Sequence, residues 1–190
     1  MKPLLLLFVL ALVSGCIVPG SVSVSKSNFD GSTEIHTEPA FVYDGVFTSE
    51  IMFSLHRNST MQPGEVILTA SASKNIADGP SLKINLDGEI VSFTSIDSTS
   101  EIFTAPVGTS RAAVRCAKRY KVDIDLLNRM MRGTNVMVRL ELFRTFAEGR
   151  FSVDGASTAR PAFRRFLAAL DPSSATNTPA TPVVTRGGHK

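Results

Sequence analysis

The chain has 190 residues, 43% of them hydrophobic, and its formal net charge is +3. This length and composition are typical of one globular domain that is large enough to bury a core. With no Trp and only two Tyr, the chain has few aromatic side chains on which sugars or bases could stack. That argues against a carbohydrate-binding or single-strand nucleic-acid-binding protein.

The first sixteen residues have the layout of a secretory leader. Lys2 supplies a positive charge, residues 4–13 form an apolar run of ten, and Ser14 and Gly15 lead to Cys16. A run of this length is too short to span a bilayer, but it fits the apolar region of a signal peptide. We therefore predict a signal peptide at residues 1–15.

The sequence Val13-Ser14-Gly15-Cys16 resembles the lipobox of bacterial lipoproteins. In that family the cysteine receives a diacylglyceryl thioether, the leader is cut off just before it, and the new N-terminus is usually acylated. The resemblance, which covers the leader only, implies that Cys16 is the lipid-attachment residue. Each buried methylene contributes about 0.8 kcal/mol, so two or three acyl chains hold a protein at a membrane.

The implied location is the bacterial cell envelope, with the membrane as a partner through the N-terminal lipid. Ile17, rather than Asp, follows the cysteine. In the sorting habit of many such lipoproteins this favours the outer membrane, with the domain facing the periplasm. Ordinary cleavage after Gly15 or Cys16, which would release a soluble secreted protein, is the alternative. Nucleic acid is not an expected partner of an exported protein.

Lipid on Cys16 would leave Cys116 without an intramolecular partner. Stability must then come from packing and not from a disulfide bond. We expect Cys116 to be buried, because a free cysteine is most often a small buried hydrophobic residue. A reactive thiol and a link between two chains are the alternatives.

The globular domain is predicted to span residues 28–171. Residues 16–27 carry the lipidated cysteine and form a tether, or in their later part the lead-in to a first strand. A tail at 172–190, rich in Pro, Thr, Ser and Ala, is predicted to be disordered. Asp-Gly pairs favour tight turns, and their number indicates a β architecture. The five pairs lie at 30–31, 44–45, 78–79, 87–88 and 154–155.

Alternating apolar and polar residues predict the strands. They occur at 33–37, ending before Pro39, at 47–55 and at 66–72, and again at 136–142. The clearest feature is a hairpin with its turn at Asp87-Gly88. A two-residue turn there pairs Leu86 with Glu89, Ile84 with Val91 and Leu82 with Phe93, so turn and register agree.

Two further segments are less distinct. A short strand is predicted at 101–105, stopped by Pro106. Residues 111–122 are compatible with a strand or a helix, and a strand is favoured for the later half. As a strand, one face would carry Val114, Cys116, Tyr120 and Val122, and the other would carry Arg111, Arg115, Arg119 and Lys121.

Two short helices complete the prediction. The first covers about 123–132, because Asp123 can cap it, basic residues lie in its last turn and Gly133 stops it. The second covers about 158–170, where apolar residues at i, i+3, i+4 and i+7 form one stripe. We expect this stripe to pack on a sheet. In the alternative interpretation the helix lies on a membrane or on a partner. The predicted fold is mainly β, with α+β at the margin, and is an antiparallel β-sandwich with two short helices.

Charge is distributed unevenly along the chain. Residues 17–110 hold four Lys/Arg and eleven Asp/Glu, a net −7, and residues 111–190 hold fifteen and six, a net +9. One interpretation is a basic surface for anionic lipid, a glycan or a protein partner. The other, which we prefer, is that acidic and basic strands lie side by side and neutralise each other. The candidate contact residues are Arg111, Arg115, Arg119, Lys121, Arg160, Arg164 and Arg165.

Few residues could take part in catalysis. The histidines are His36, His56 and His189, and Glu34, His36 and Glu38 share one face of a predicted strand, where they could hold a metal ion or relay a proton. Alternating polar residues on a solvated strand face are a far more common explanation. The motifs HExxH, G-x-S-x-G, G-x-G-x-x-G and the P-loop are absent. We therefore predict no catalytic residue, no metal site and no cofactor.

These observations favour a membrane-anchored envelope lipoprotein that acts as a non-catalytic binding or scaffolding module, with an envelope protein as a candidate partner. The alternative is a small envelope hydrolase whose site is assembled from dispersed residues. In that case His36, His56 or Cys116 would lie in a cleft beside an acidic side chain. The sequence does not indicate an oligomeric state.

Overall fold

The computed structural model describes residues 19–44, 50–107, 111–151 and 157–171. The leader with Cys16, the first part of the strand predicted at 47–55, and the tail at 172–190 lie outside the described residues. The strands described are β1 (Val22–Lys26), β2 (Thr33–Thr37), β3 (Ala40–Phe41), β4 (Met52–Asn58), β5 (Glu65–Ala72), β6 (Leu82–Leu86), β7 (Glu89–Phe93), β8 (Glu101–Val107), β9 (Arg111–Asp123), β10 (Val136–Leu142) and β11 (Thr145–Arg150). The helices are α1 (Ile124–Arg132) and α2 (Ala159–Leu170).

The strands form two antiparallel sheets. The larger has the order β1-β2-β4-β5-β9-β8, with β3 paired to β4, and the smaller has the order β11-β10-β6-β7. Side chains of both sheets and both helices meet in one core. The fold is thus mainly β with two helices, consistent with a β-sandwich or a half-barrel, and the predicted fold class is confirmed.

The core follows from the alternation that the sequence predicted. In β5, Val66, Leu68 and Ala70 are fully buried, and in β9 Tyr120 and Val122 are buried on the same side of the larger sheet. We call this side the inner face, and the side that carries the alternate residues the outer face. The inner face therefore provides one wall of the core.

The hairpin of β6 and β7 has the predicted register. Leu86 pairs with Glu89, Ile84 with Val91 and Leu82 with Phe93. Asp87 and Gly88 have φ angles of 52° and 107°. Two central residues with positive φ match the twist of the flanking strands, which is why Asp-Gly specifies this turn.

Two predictions for β8 and β9, at one edge of the larger sheet, need correction or extension. Residues 111–123 form one continuous strand of thirteen residues, so the strand interpretation holds for the whole segment. The strand before it does not stop at Pro106, as predicted, but continues to Val107. Because β8 is an edge strand, the missing N–H of Pro106 can face away from β9 without loss of a ladder hydrogen bond.

Both helices lie where they were predicted. The side chain of Asp123 accepts a hydrogen bond from Leu126 N at 2.5 Å, which caps α1, and Gly133 follows its last residue. In α2, Ala162, Phe163 and Phe166 are buried against the core, so its apolar stripe packs on the larger sheet as expected. Neither of the two helices in the described part of the chain has the length and apolarity needed to cross a membrane.

Candidate functional site

The predicted basic residues do not form one surface. Arg119 and Lys121 alternate with the buried Tyr120 and therefore lie on the outer face of the larger sheet. The arginines of α2 lie on the opposite side, because α2 packs on the inner face through Phe163, whose ring is 6.0 Å from that of Phe53. The side chain of Arg111 lies outside the described residues.

Arg115 was wrongly predicted to be a surface residue. It is only 4% exposed, and its guanidinium donates hydrogen bonds to the main-chain carbonyls of Glu50 and Ser71, the latter at 3.3 Å. Burial lowers the pKa of Arg115, and the charge of Glu50 opposes that effect. The side chain folds over the ends of β4 and β5, since β9 extends past Ala72, the last residue of β5. Its role is structural.

The other basic residues of β9 whose side chains the structure describes are neutralised by acidic neighbours. Arg119 lies 2.6 Å from Asp97, and Lys121 lies 3.1 Å from Glu65. Four ion pairs of the described residues join a basic residue of 111–190 to an acidic residue of 17–110. They are Asp78–Lys118, Asp97–Arg119, Glu65–Lys121 and Glu89–Arg129. The preferred interpretation of the charge asymmetry, mutual neutralisation, therefore agrees with the structure.

The three arginines of α2 differ in their surroundings. Arg160 is half-buried and donates to the main-chain oxygen of Met131 at 3.0 Å. Arg165 donates to the main-chain oxygen of Gly20 at 2.7 Å while its side chain remains largely exposed, and Arg164 is exposed. Only Arg164 and Arg165 on this helix are therefore placed to contact a charged surface.

Two histidines that are distant in sequence meet on the outer face. His36 in β2 and His56 in β4 are direct cross-strand partners. Glu34, on the same face, lies 3.3 Å from Nδ1 of His56. In the sequence analysis, Glu34 and His36 were grouped with Glu38, and His56 was not placed beside them. The pairing of the strands at 33–37 and 52–58 was the signal that could have found it.

The imidazole of His36 has an unusual environment. Its Nδ1 is shielded from solvent and has no hydrogen-bond partner among the described residues. The same part of the chain contains no group of three or more His, Cys, Asp or Glu side chains arranged to hold a metal ion. The outer face thus offers two imidazoles and one neighbouring carboxylate.

Cys116 is buried, as predicted. Its thiol lies 3.1 Å from Oδ1 of Asn75 and donates a hydrogen bond to it. The residue has the same parity in β9 as Tyr120 and belongs to the inner face. The structure therefore does not bring Cys116 together with His36 and His56, which lie on the outer face.

An apolar patch at the edge of the larger sheet was not anticipated. Ile102 in β8 is 68% exposed and Val114 in β9 is 62% exposed. Ile102 is the direct cross-strand partner of Cys116. The side chains of Ile102 and Val114 are therefore diagonal neighbours on the inner face. The sequence placed Val114 correctly on the face of Cys116 and Tyr120, but it could not show that the core ends at Cys116. We call Ile102 and Val114 the edge patch.

Because of the ion pair of Asp97, we expect the domain to lose stability in acid. The hydrogen bond from Arg119 lowers the pKa of Asp97 below its ordinary value of 3.8. Because the folded-state pKa is the lower one, the stabilisation is present above the unfolded-state pKa and disappears as the pH falls through the folded-state pKa. Asp97→Asn should therefore lower the urea midpoint by more at pH 7 than near pH 2. An equal difference at both pH values would contradict this origin.

Comparisons of the chain with protein-family models, with curated proteins and with solved structures found no match. Function is therefore inferred from the residues of this chain.

Proposed function

We propose that this chain is a lipid-anchored protein of the bacterial envelope, held at the outer membrane and facing the periplasm, whose β domain binds or scaffolds another envelope component without catalysing a reaction. The observation that carries the proposal is the leader, in which an apolar run of ten residues ends at Val13-Ser14-Gly15-Cys16. Lipid on Cys16 would restrict the domain to a membrane surface.

The entry of the chain into the domain supports a close attachment to the membrane. Gly20 is held against α2, because its carbonyl accepts the hydrogen bond from Arg165 and a Cβ at this position would lie 2.5 Å from Cβ of Ala162. From Cys16 to Gly20 an extended chain spans at most about 14 Å. An anchored domain would therefore lie near the bilayer, with the side of α2 that contacts Gly20 through Ala162 and Arg165 towards it.

This orientation gives the exposed arginines of α2 a role. Arg164 and Arg165 would face the lipid headgroups, where each basic residue contributes about 1 kcal/mol at an anionic surface. The contribution is small beside that of the acyl chains. The two arginines would therefore influence the orientation of the domain more than the strength of its attachment.

The same orientation leaves the opposite edge of the larger sheet for a partner. β1, which follows Gly20, and β8 are the two ends of the strand order. Within the described residues β8 has no second neighbour, so its outward N–H and C=O groups, apart from the N–H that Pro106 lacks, can pair with an added strand. The edge patch would contact apolar side chains of that strand. We therefore take the partner to be an extended apolar segment of an envelope protein.

Photo-crosslinking in living cells tests the partner surface. A photoreactive residue replaces Ile102 in the full chain, and the matched control replaces Ile90, which is 66% exposed on the smaller sheet. We expect one discrete crosslinked protein from position 102 and none from position 90. Equal crosslinking from both positions, or none from position 102, would exclude the edge patch as the binding surface.

Cys16→Ser tests the anchor in the same cells. We expect the wild-type chain to incorporate an alkyne-labelled fatty acid and to fractionate with outer membranes. The variant should lose the label and no longer fractionate with outer membranes. An unlabelled wild-type chain, or a variant that still incorporates the label, would overturn lipid anchoring whatever the crosslinking result.

A further inference from the structure

The histidine pair on the outer face has backbone geometry suited to a shared ligand. Ser59 N donates to Thr33 O at 2.8 Å, while Thr33 N donates to Oγ of Ser59 at 2.9 Å, so residues 33 and 59 occupy a hydrogen-bonded position of the ladder. Such pairs alternate with non-hydrogen-bonded pairs along an antiparallel ladder. Counting along the register places His36 and His56 in a non-hydrogen-bonded pair. Partners of this type have Cα atoms about 4.5 Å apart and the closer side chains.

The surroundings of the two imidazoles favour ligand binding over simple solvation. Glu34, at 3.3 Å from Nδ1, can hold His56 in one orientation and leave its Nε2 available. A carboxylate on the second nitrogen is the usual support of a metal-binding histidine, because it fixes the ring and raises its basicity. Nδ1 of His36 is shielded from solvent without a partner among the described residues, so Nε2, on the other side of the ring, is the nitrogen of His36 that can reach an ion.

We propose that His36 and His56 together bind a divalent transition-metal ion, with Glu34 as the group that orients His56. Neutral imidazole is a preferred ligand of copper, nickel and zinc, whereas calcium and magnesium prefer oxygen ligands. The described residues provide two nitrogen ligands and no third side chain arranged for the ion. Water or an external ligand therefore completes the coordination shell. This inference does not depend on lipid anchoring or on the edge patch.

Metal titration of the full chain tests the site. The chain, solubilised in detergent, is titrated with Cu²⁺, Ni²⁺ and Zn²⁺ by isothermal calorimetry. We expect one ion per chain, with Cu²⁺ bound most tightly, in the order of affinities general for nitrogen ligands. His36→Ala and His56→Ala should each weaken binding by at least about tenfold, since each removes one of two ligands. Glu34→Gln should weaken it by about tenfold through the orientation of His56.

The third histidine provides the matched control. His189→Ala removes an imidazole from a position remote in sequence from the pair and should leave the affinity unchanged. Addition of Cu²⁺ should broaden the imidazole NMR signals of His36 and His56 before any others. Thermal unfolding of each variant without metal checks that it folds, and the NMR experiment on the wild-type chain does not depend on variants. Binding that persists in His36→Ala and His56→Ala, or disappears in His189→Ala, would overturn the proposal.

Discussion

Phe163→Ala is expected to lower the free energy of unfolding by about 3–5 kcal/mol. Phe163 is buried, and α2 contacts β1, β2, β3 and β4 of the larger sheet. Its ring lies 4.8 Å from that of Phe151 and 6.0 Å from that of Phe53. Truncation removes the buried ring and leaves a cavity that three separate segments would have to close.

Urea unfolding of the full chain, followed by circular dichroism, measures this effect. The matched control is Phe143→Ala, because Phe143 is 64% exposed and its loss should change the free energy of unfolding by no more than about 0.5 kcal/mol. A similar loss in both variants would mean that α2 does not pack on the sheet as described. A large loss for Phe163 alone supports the arrangement that also positions Gly20 and the arginines of α2.

The sequence predicted those parts of the fold that depend on local pattern. The hairpin of β6 and β7 was predicted with its register, because an Asp-Gly turn and a period of two in the flanking strands specify the same pairing. Asp123 and Gly133 likewise bounded α1, because capping involves residues within one turn. Each of these signals lies within about a dozen residues.

The order of strands in the larger sheet could not be predicted in this way. β5 pairs with β9 across a long stretch of chain that includes a separate hairpin, and no local signal encodes such a pairing. The environment of Arg115 follows from it, because its hydrogen-bond acceptors belong to Glu50 and Ser71. From the sequence alone, a basic residue on the outer face of a strand is predicted to be exposed. Its burial can be recognised only when the neighbouring strands are known.

The burial of Lys118 on the inner face could not be predicted for the same reason. It has the parity of Cys116 and Tyr120 and is only 2% exposed. Its ammonium group donates to the main-chain oxygen of Ala77 at 3.2 Å and to Asp78 at 2.7 Å. A buried charge is tolerated only with such partners, and they come from a loop some forty residues away in sequence. The histidine pair was missed for the same reason, since His56 reaches His36 only through strand pairing.

Gly20→Ala is expected to destabilise the domain where the chain enters it. Gly20 has a φ angle of +71°, which costs an alanine about 1–2 kcal/mol. The added Cβ would also lie 2.5 Å from Cβ of Ala162 and 3.2 Å from Cβ of Ala40. Both neighbours are Cβ atoms fixed to their backbones, so neither can turn away, and overpacking of this kind costs about 1–3 kcal/mol. The expected loss in the free energy of unfolding is therefore about 2–5 kcal/mol.

Gly31→Ala separates the two contributions. Gly31 has a nearly equal φ angle of +74° but no atom within 4 Å of an added Cβ, so it should lose only the backbone part, about 1–2 kcal/mol. Urea unfolding compares the two variants, and Gly20→Ala should show the larger loss. Equal losses would mean that Gly20 does not lie against α2. In that case the short connection from Cys16 would not orient the domain, and Arg164 and Arg165 would have no fixed position relative to the bilayer.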